Sequence, residues 1–149
     1  MPAYFLDSSA LVKRYLGEEG TPRVLEIIAG AERVVVSRLT MVEVTSATVR
    51  RRRVGDVSAD LARRVLEALD EDSRQLYEVV DLAAGTIARA CDLVGVHGLR
   101  AADSVQLACA LLAAGGLTGG QGLIFVSADA ELNAAAAAER LVVVNPCGE

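Results

Sequence analysis

Four acidic side chains stand in otherwise apolar or small-residue surroundings, where they are placed to take part in chemistry. They are Asp7 in YFLDSSALVKRY, Glu43 in LTMVEVTSA, Asp103 in LRAADSVQLA and Asp129 in IFVSADAEL. Each follows a predicted strand or lies near the start of a predicted helix, where α/β sheets present the carboxyl ends of their strands and bind ligands. Carboxylate oxygens without partner histidines or thiolates favour Mg²⁺ or Mn²⁺ over zinc. The four acids therefore predict a site for hard divalent cations.

Each acid also has a purely structural explanation. Asp7 or Ser8 is positioned to cap the first predicted helix, Asp129 is positioned to cap the last one, and Asp103 forms a capping-box pattern with Gln106. Glu43 differs because it lies inside a predicted helix, where capping does not explain it. Like charges in one cleft raise one another's pKa, so a cluster of acids makes physical sense mainly with cations present. The joint pattern favours a metal site more strongly than any single acid does.

The elements that must position these acids are apolar strands that alternate with helices. Strands are predicted at residues 4–6, 34–36, 77–80, 123–126 and 141–144. Helices are predicted at residues 8–16, 21–28, 58 onward, 83–94, 101–114 and 130–140, with one more beginning at Ser37 or Thr40 and ending in the arginine run 50–53. Gly95 and the glycine-rich stretch 115–122 are predicted to end helices. This alternation predicts an α/β fold whose parallel sheet is covered by helices on both faces.

Length and composition limit the class of protein. With 149 residues, the chain is predicted to form a single domain over residues 1–149 with its own core. A hydrophobic fraction of 52% and an aromatic fraction of 3% predict a core of closely packed aliphatic side chains. No apolar run approaches the roughly 18 residues of a membrane span, and the start MPAYFLDSS does not resemble a signal peptide. We therefore expect a cytoplasmic protein without membrane association.

The cysteines and the single histidine say little about a site but exclude some chemistry. Cys91, Cys109 and Cys147 are widely spaced and form no CxxC pair, which favours free thiols over zinc ligands or disulfides. Cys91 and Cys109 lie in predicted helices among alanine and leucine, so both are expected to be buried. His97 is the only histidine, and a mechanism that needs two histidines from one chain is therefore excluded.

The charge balance leaves a phosphodiester substrate possible. The formal net charge is −5, which is unfavourable for binding nucleic acid. The four acids supply −4 of this, so two bound divalent cations would change −5 to about −1. Lys13 and Arg14 follow Asp7 closely and Arg100 precedes Asp103, so all three cations are candidate phosphate contacts, although solvated helix-surface cations are an equally good interpretation.

Four sequence blocks together carry a family resemblance. LDSSALVKRYLGEEG, SRLTMVEVTSA, HGLRAADSVQLA and VSADAEL occur in the order seen in PIN-domain proteins, and the chain resembles the VapC-type toxin ribonucleases of that family. The resemblance runs from Asp7 to Val144 and implies a three-layer α/β/α sandwich with a central, mainly parallel sheet. It also implies that Asp7, Glu43 and Asp103 are the three invariant acids of the family and that Asp129 is its more variable fourth.

The same resemblance implies a function. The chain would be a Mg²⁺- or Mn²⁺-dependent endoribonuclease, the toxin of a type II toxin–antitoxin pair, which uses metal-activated water and leaves 5′-phosphate and 3′-hydroxyl ends. Asp7 and Asp103 would hold the principal ion, and Glu43 and Asp129 would support it or bind a second ion. Ser9 and Ser127 match hydroxyl positions beside the acids. A cognate antitoxin and a homodimer are the partners that the resemblance implies, in addition to RNA.

Three other classes of protein are alternatives to a metal-dependent ribonuclease. Response-regulator receivers need a lysine late in the chain, but the only lysine is Lys13. Haloacid-dehalogenase-like phosphatases need an aspartate two residues after the first, where this chain has Ser9. A PIN-like module that binds RNA or protein without cutting it remains the alternative to a nuclease.

Overall fold

The computed structural model describes residues 2–116 and 122–148. Its strands are β1 (Ala3–Leu6), β2 (Arg33–Ser37), β3 (Glu78–Val80), β4 (Leu123–Val126) and β5 (Val142–Val144). Its helices are α1 (Ser8–Tyr15), α2 (Thr21–Gly30), α3 (Arg38–Arg53), α4 (Ala59–Gln75), α5 (Ala84–His97), α6 (Ala101–Gly115) and α7 (Ala130–Ala138). The strands form one sheet in the order β3-β2-β1-β4-β5, and every neighbouring pair is parallel. The predicted three-layer sandwich with a parallel central sheet is confirmed.

The sheet separates two hydrophobic clusters because successive strand residues point to opposite faces. On one face, Phe5 and Phe125 pack with α5, α6 and α7. Their rings stack with centroids 5.7 Å apart, so both phenylalanines of the chain contribute to the core on this face. On the other face, Leu6, Val36 and Val126 pack with α1, α2, α3 and α4. Both faces are therefore buried, which explains why the strands read as continuous apolar runs.

The strand order places the carboxyl end of β1 at the middle of one sheet edge. From β1 the chain crosses to β2 on one side, and β4 lies on the other side, so the order reverses between β1 and β4. Such a reversal is the usual ligand-binding crevice of open α/β sheets. The Asp7 N–H donates to the Val126 carbonyl at 3.1 Å, and the Ser127 N–H donates to the Val144 carbonyl at 3.2 Å. These bonds continue the β1–β4 and β4–β5 pairings by one residue and so fix Asp7 and Ser127 at the same edge of the sheet.

Serine caps fix two helix starts close to where the sequence predicts them. The Ser37 hydroxyl accepts from the Leu39 N–H at 3.1 Å and begins α3. The Ser58 hydroxyl accepts from the Leu61 N–H at 3.0 Å and begins α4. A serine at this position satisfies a backbone donor that the helix itself leaves without a partner.

Two expectations about the helical layer were wrong, and one lies partly outside the described residues. Helix α5 does not end at Gly95 but continues to His97, and Gly98 ends it in the left-handed conformation with φ +66°. Cys91 is exposed rather than buried, whereas Cys109 is buried as expected, and all three cysteines are free thiols. Helix α6 ends at Gly115, but residues 117–121 of the glycine-rich stretch lie outside the described part of the chain. Among the described helices, none combines the length and apolar character needed to cross a membrane.

The two glycines near the end of α5 should respond oppositely to substitution by alanine. Gly95→Ala should raise the free energy of unfolding by about 0.5–1 kcal/mol, because glycine weakens a helix interior and a new Cβ meets no atom within 4 Å. Gly98→Ala should lower it by about 1 kcal/mol, because its positive φ is strained for a residue with a Cβ. Urea unfolding measures both, and each variant is the control for the other. Shifts of the same sign would contradict the assigned helix end.

Candidate active site

Asp7 lies directly after β1 and has a fully hydrogen-bonded carboxylate. Its side chain caps α1 by accepting from the Ala10 N–H at 3.0 Å. The hydroxyls of Ser9 and Ser127 each donate to it at 2.7 Å, one to each carboxylate oxygen. The residue is only 3% exposed. Asp7 is therefore a helix cap, as the structural explanation proposes, and it is also held rigidly at the sheet edge.

Glu43 is oriented by the side-chain amide of Gln106, which the sequence suggests as a capping partner of Asp103. The amide nitrogen of Gln106 lies 2.8 Å from Glu43 Oε1 and 2.9 Å from the Thr40 hydroxyl. It also lies 3.1 Å from the Ser8 hydroxyl, which itself donates to Glu43. Gln106 is 1% exposed. This buried residue of α6 joins α1 and α3 and fixes Glu43 at their junction.

Asp103 and Asp129 face each other across an arginine. Asp103 lies in the first turn of α6 and Asp129 caps α7 by accepting from the Leu132 N–H at 3.0 Å. The Arg100 guanidinium donates from Nε to Asp103 Oδ2 at 3.2 Å and from Nη2 to Asp129 Oδ2 at 3.1 Å. The capping box that the sequence suggests for Asp103 and Gln106 is wrong, since Arg100 occupies the N-cap position of α6.

The four acids line one pocket at the carboxyl edge of the sheet. The pocket has a volume of about 240 Å³, and its lining consists of Asp7, Ser8, Ser9, Val12, Glu43, Ala47, Arg100, Asp103 and Asp129. A larger cavity of about 600 Å³ lies between α3 and α4, where its charged residues Arg52, Arg63, Glu67 and Asp70 follow helix surfaces. The smaller pocket is the better site candidate, because polar groups from α1, α3, α6 and the N-cap of α7 converge there, whereas the larger cavity is lined by α3 and α4 alone.

Burial and mutual repulsion make the pocket costly to ionise fully. Burial raises the pKa of Asp7 from its ordinary value of 3.8 to about 6. The serine hydrogen bonds oppose that rise, and the negative charge of Asp103 adds to it. Burial also raises the pKa of Asp103, as do the charges of Asp129 and Glu43, against the lowering effect of Arg100. The acids are therefore close enough to interact electrostatically, as a shared cation site requires.

The donor chemistry fits a hard cation, but the carboxylates are paired with donors from the protein itself. Carboxylate and hydroxyl oxygens without soft ligands are the set that Mg²⁺ and Mn²⁺ prefer. Among residues 2–116 and 122–148, however, no group of three or more His, Cys, Asp or Glu side chains is arranged so that it could hold a metal ion. Three of the acids accept from serine, glutamine or backbone donors, and Arg100 bridges Asp103 and Asp129.

Two of the predicted phosphate contacts lie away from this pocket. The Lys13 side chain is 8% exposed, and its ammonium pairs with Glu18 at 2.8 Å. The Arg14 guanidinium pairs with Asp72 at 3.4 Å. Neither residue lines the pocket, whereas Arg100 does. Of the three candidate cations, the structure brings only Arg100 to the acids.

Several residues that organise the pocket were not predicted from the sequence as site residues. Ser8 and Thr40 complete the Gln106 network, and the Asn133 amide donates to the Ser127 carbonyl at 2.8 Å, which ties the loop after β4 to α7. The sequence feature that could have identified Gln106 is its polar side chain on an otherwise apolar helix. Gln106 stands between Val105 and Leu107, and a buried polar side chain of this kind needs a partner.

Removing the Gln106 amide should destabilise the fold. Gln106→Leu keeps a similar volume but takes the donor away from Glu43 and Thr40, which should lower the free energy of unfolding by about 1–3 kcal/mol. Urea unfolding measures the change. Gln75→Leu is the matched control, because Gln75 is exposed at the end of α4 and should shift stability by less than about 0.5 kcal/mol. Equal unfolding midpoints for the two variants would contradict the assigned role.

Comparisons with known proteins agree with this architecture. A family model described as PIN domain matches residues 4–138. Ribonuclease VapC45 of Mycobacterium tuberculosis is 32% identical over 114 residues, which cover 74% of this chain and 76% of that protein. The crystal structure of FitAcB from Neisseria gonorrhoeae matches with a TM-score of 0.70 at 18% identity, covering 96% of this chain and 97% of that one. A toxin–antitoxin complex from Klebsiella pneumoniae matches with a TM-score of 0.64 at 18% identity, covering 96% and 97%.

Proposed function

The chain belongs to the PIN domain family, and from that premise we propose that it is a divalent-metal-dependent endoribonuclease of the VapC type. The observation that carries the proposal is the convergence of Asp7, Glu43, Asp103 and Asp129 on one pocket at the sheet edge. Residues up to 122 positions apart supply these acids, so a helix-capping role for each one separately does not explain their meeting. The relative named as a ribonuclease supports RNA as the substrate.

Each acid has a distinct part in the proposed site. Asp7 and Asp103 hold the principal Mg²⁺ or Mn²⁺, and Glu43 and Asp129 support it or bind a second ion. When bound, the cation lowers the pKa of a water molecule and neutralises charge that develops on the phosphate. His97 pairs with Glu139 at 2.8 Å and does not line the pocket, so it supplies no acid or base there.

The serines and Gln106 hold these acids in place before any ligand arrives. Ser9 and Ser127 each donate to Asp7, so its two oxygens keep fixed directions. Ser8 and Gln106 do the same for Oε1 of Glu43. Such partners of ligating groups orient them, and their loss typically costs about 10- to 100-fold in metal affinity or activity.

The proposal extends to the biological setting. A toxin–antitoxin complex among the structural neighbours supports a cognate antitoxin as the protein partner. The homodimer is a prediction from the family resemblance, and the cytoplasmic location is a prediction from the residue pattern of the sequence. Size-exclusion chromatography with light scattering, alone and after coexpression with the protein encoded alongside, tests both partners.

A PIN-like module that binds RNA without cutting it is the second candidate, and one observation favours it. Arg100 already bridges Asp103 and Asp129, and a site whose carboxylates stay neutralised in this way would not take up a cation. The two candidates differ in whether the phosphodiester bond breaks.

Cleavage of mixed RNA substrates during a Mg²⁺ and Mn²⁺ titration separates the two candidates. The nuclease should release fragments with 5′-phosphate ends only when a divalent cation is present, and EDTA should stop the reaction. RNA binding without cleavage at any cation concentration would support the non-cutting module and contradict the nuclease.

A further inference from the structure

Arg100 is a positive side chain in a pocket of acids, and we infer that it is an internal counter-ion. In the metal-free protein its guanidinium occupies the space between Asp103 and Asp129, and divalent-cation binding displaces it. The displaced arginine then contacts the phosphate of the substrate. This inference rests on the proposed function, because it assumes that the same pocket binds a divalent cation.

The geometry of Arg100 resembles that of a bridging ion. Its two hydrogen bonds leave from different nitrogens and reach carboxylates on two helices, at 3.2 Å to Asp103 and 3.1 Å to Asp129. Asp129 lies 29 residues further along the chain, so the bridge is a tertiary contact and more than a local helix pair. Arg100 therefore satisfies two of the acids that the proposed function assigns to the metal.

The charges of the pocket residues explain why the bridge from Arg100 to Asp103 and Asp129 is favourable. Among the described lining residues there are four carboxylates, and Arg100 is the one cation. Arg100 contacts Asp103 and Asp129 directly, so its positive charge offsets part of the negative charge of both carboxylates.

Displacing Arg100 should be easy. The arginine side chain is 76% exposed, and ion pairs at such positions are weak because water screens them. A divalent cation attracts the same carboxylates with twice the charge of a guanidinium. The exchange therefore favours the metal, but binding must first break two contacts, which lowers the apparent affinity of the site.

The displaced arginine remains at the rim of the pocket. Arg100 is the N-cap residue of α6, and Asp103 lies three residues later in the first turn of the same helix. A guanidinium fits phosphate oxygens through paired N–H groups, which a lysine ammonium does not do. Arg100 is thus placed to bind the phosphate that the acids and their cation act on.

Calorimetric titration with Mn²⁺ tests the exchange without any activity measurement. Arg100→Gln should bind Mn²⁺ about 2- to 10-fold more tightly than the wild type, since no arginine competes for the carboxylates. Arg63→Gln is the matched control. Arg63 also bridges two acids, Asp60 at 2.6 Å and Glu67 at 3.0 Å, but it does not line the acidic pocket, so its loss should leave Mn²⁺ affinity unchanged.

Steady-state cleavage at saturating Mn²⁺ tests whether the displaced Arg100 binds the phosphate of the substrate. Arg100→Gln should raise KM for RNA more than it lowers kcat, and Arg100→Lys should restore part of the loss because it keeps the charge. Equal or weaker Mn²⁺ affinity in Arg100→Gln, with normal binding by the wild type, would overturn the inference and leave the nuclease proposal intact. Failure of the folded wild type, of Arg100→Gln and of Arg63→Gln to bind Mn²⁺ would overturn both this inference and the nuclease proposal.

Discussion

Asp7→Asn is expected to abolish divalent-dependent RNA cleavage, with a loss of more than about 100-fold, because residues that only orient a metal ligand already cost about 10- to 100-fold. Asparagine keeps the size of aspartate and can still accept from Ser9 and the Ala10 N–H. It cannot supply the negative charge that a hard cation requires. Asp103→Asn is expected to have a similar effect. Fragment release from labelled RNA at saturating Mg²⁺ measures both.

The matched control for these variants is Asp81→Asn. Asp81 pairs with Arg38 at 2.7 Å, its side chain is 74% exposed, and it does not line the acidic pocket. This variant should cleave at the wild-type rate. Cleavage within a few-fold of wild type by either Asp7→Asn or Asp103→Asn would remove the assignment of these residues as metal ligands.

The same Asp7→Asn variant is expected to be more stable than the wild type when no metal is present. Folding raises the Asp7 pKa from 3.8 to about 6, so the fold disfavours the ionised carboxylate. At about 1.4 kcal/mol for each tenfold change, this difference corresponds to about 3 kcal/mol. Asparagine avoids that cost but loses charge-assisted hydrogen bonds. The net gain at pH 7 to 8 should be about 1–3 kcal/mol.

The pH dependence of this gain gives it a distinct signature. Between pH 3.8 and about 6 the folded protein holds a proton on Asp7 that the unfolded chain has lost. Wild-type stability therefore falls as pH rises through this window, and the contribution from Asp7 levels off above it. Asp7→Asn lacks this contribution. The difference between the two proteins should be small near pH 4 and reach its full value above pH 6.

Urea unfolding in EDTA at several pH values measures the difference, with Asp81→Asn as the control for a generic Asp-to-Asn effect. A difference that does not grow between pH 4 and pH 7 would contradict the buried, repelled carboxylate. Together with the loss of cleavage, a gain in stability would show that the variant is inactive for a chemical reason and not because it unfolds. Asp7 would then lower the stability of the fold while being required for RNA cleavage.

Much of the fold follows from the sequence because it depends on local patterns. Strands buried on both faces appear as short apolar runs, and the prediction for residues 123–126 matches β4 (Leu123–Val126). Ser37 and Ser58 mark helix starts through cap chemistry that needs no tertiary contact. Gly95 does not end α5 as predicted, because glycine in a helix interior costs only about 1 kcal/mol and the helix continues past it to His97.

The four acids were predicted because acidic residues in apolar surroundings are conspicuous, and the family resemblance indicated Ser9 and Ser127 beside them, but the partners of Glu43 were not predicted. The Gln106 amide meets Glu43, Thr40 and Ser8 at separations of 63, 66 and 98 residues, which no periodic pattern specifies. Likewise, the three candidate cations look equivalent in the sequence. Only the direction of each side chain in the fold distinguishes Arg100, at the pocket, from Lys13, which is buried against Glu18.

Anomalous diffraction from crystals grown with Mn²⁺ would show whether the acidic pocket binds a divalent cation. We expect a manganese peak in the pocket in contact with the carboxylates of Asp7 and Asp103, with the Arg100 guanidinium moved out of the space between Asp103 and Asp129. A fully formed pocket without a peak at saturating Mn²⁺, or a peak only at other acids on the surface, would contradict it.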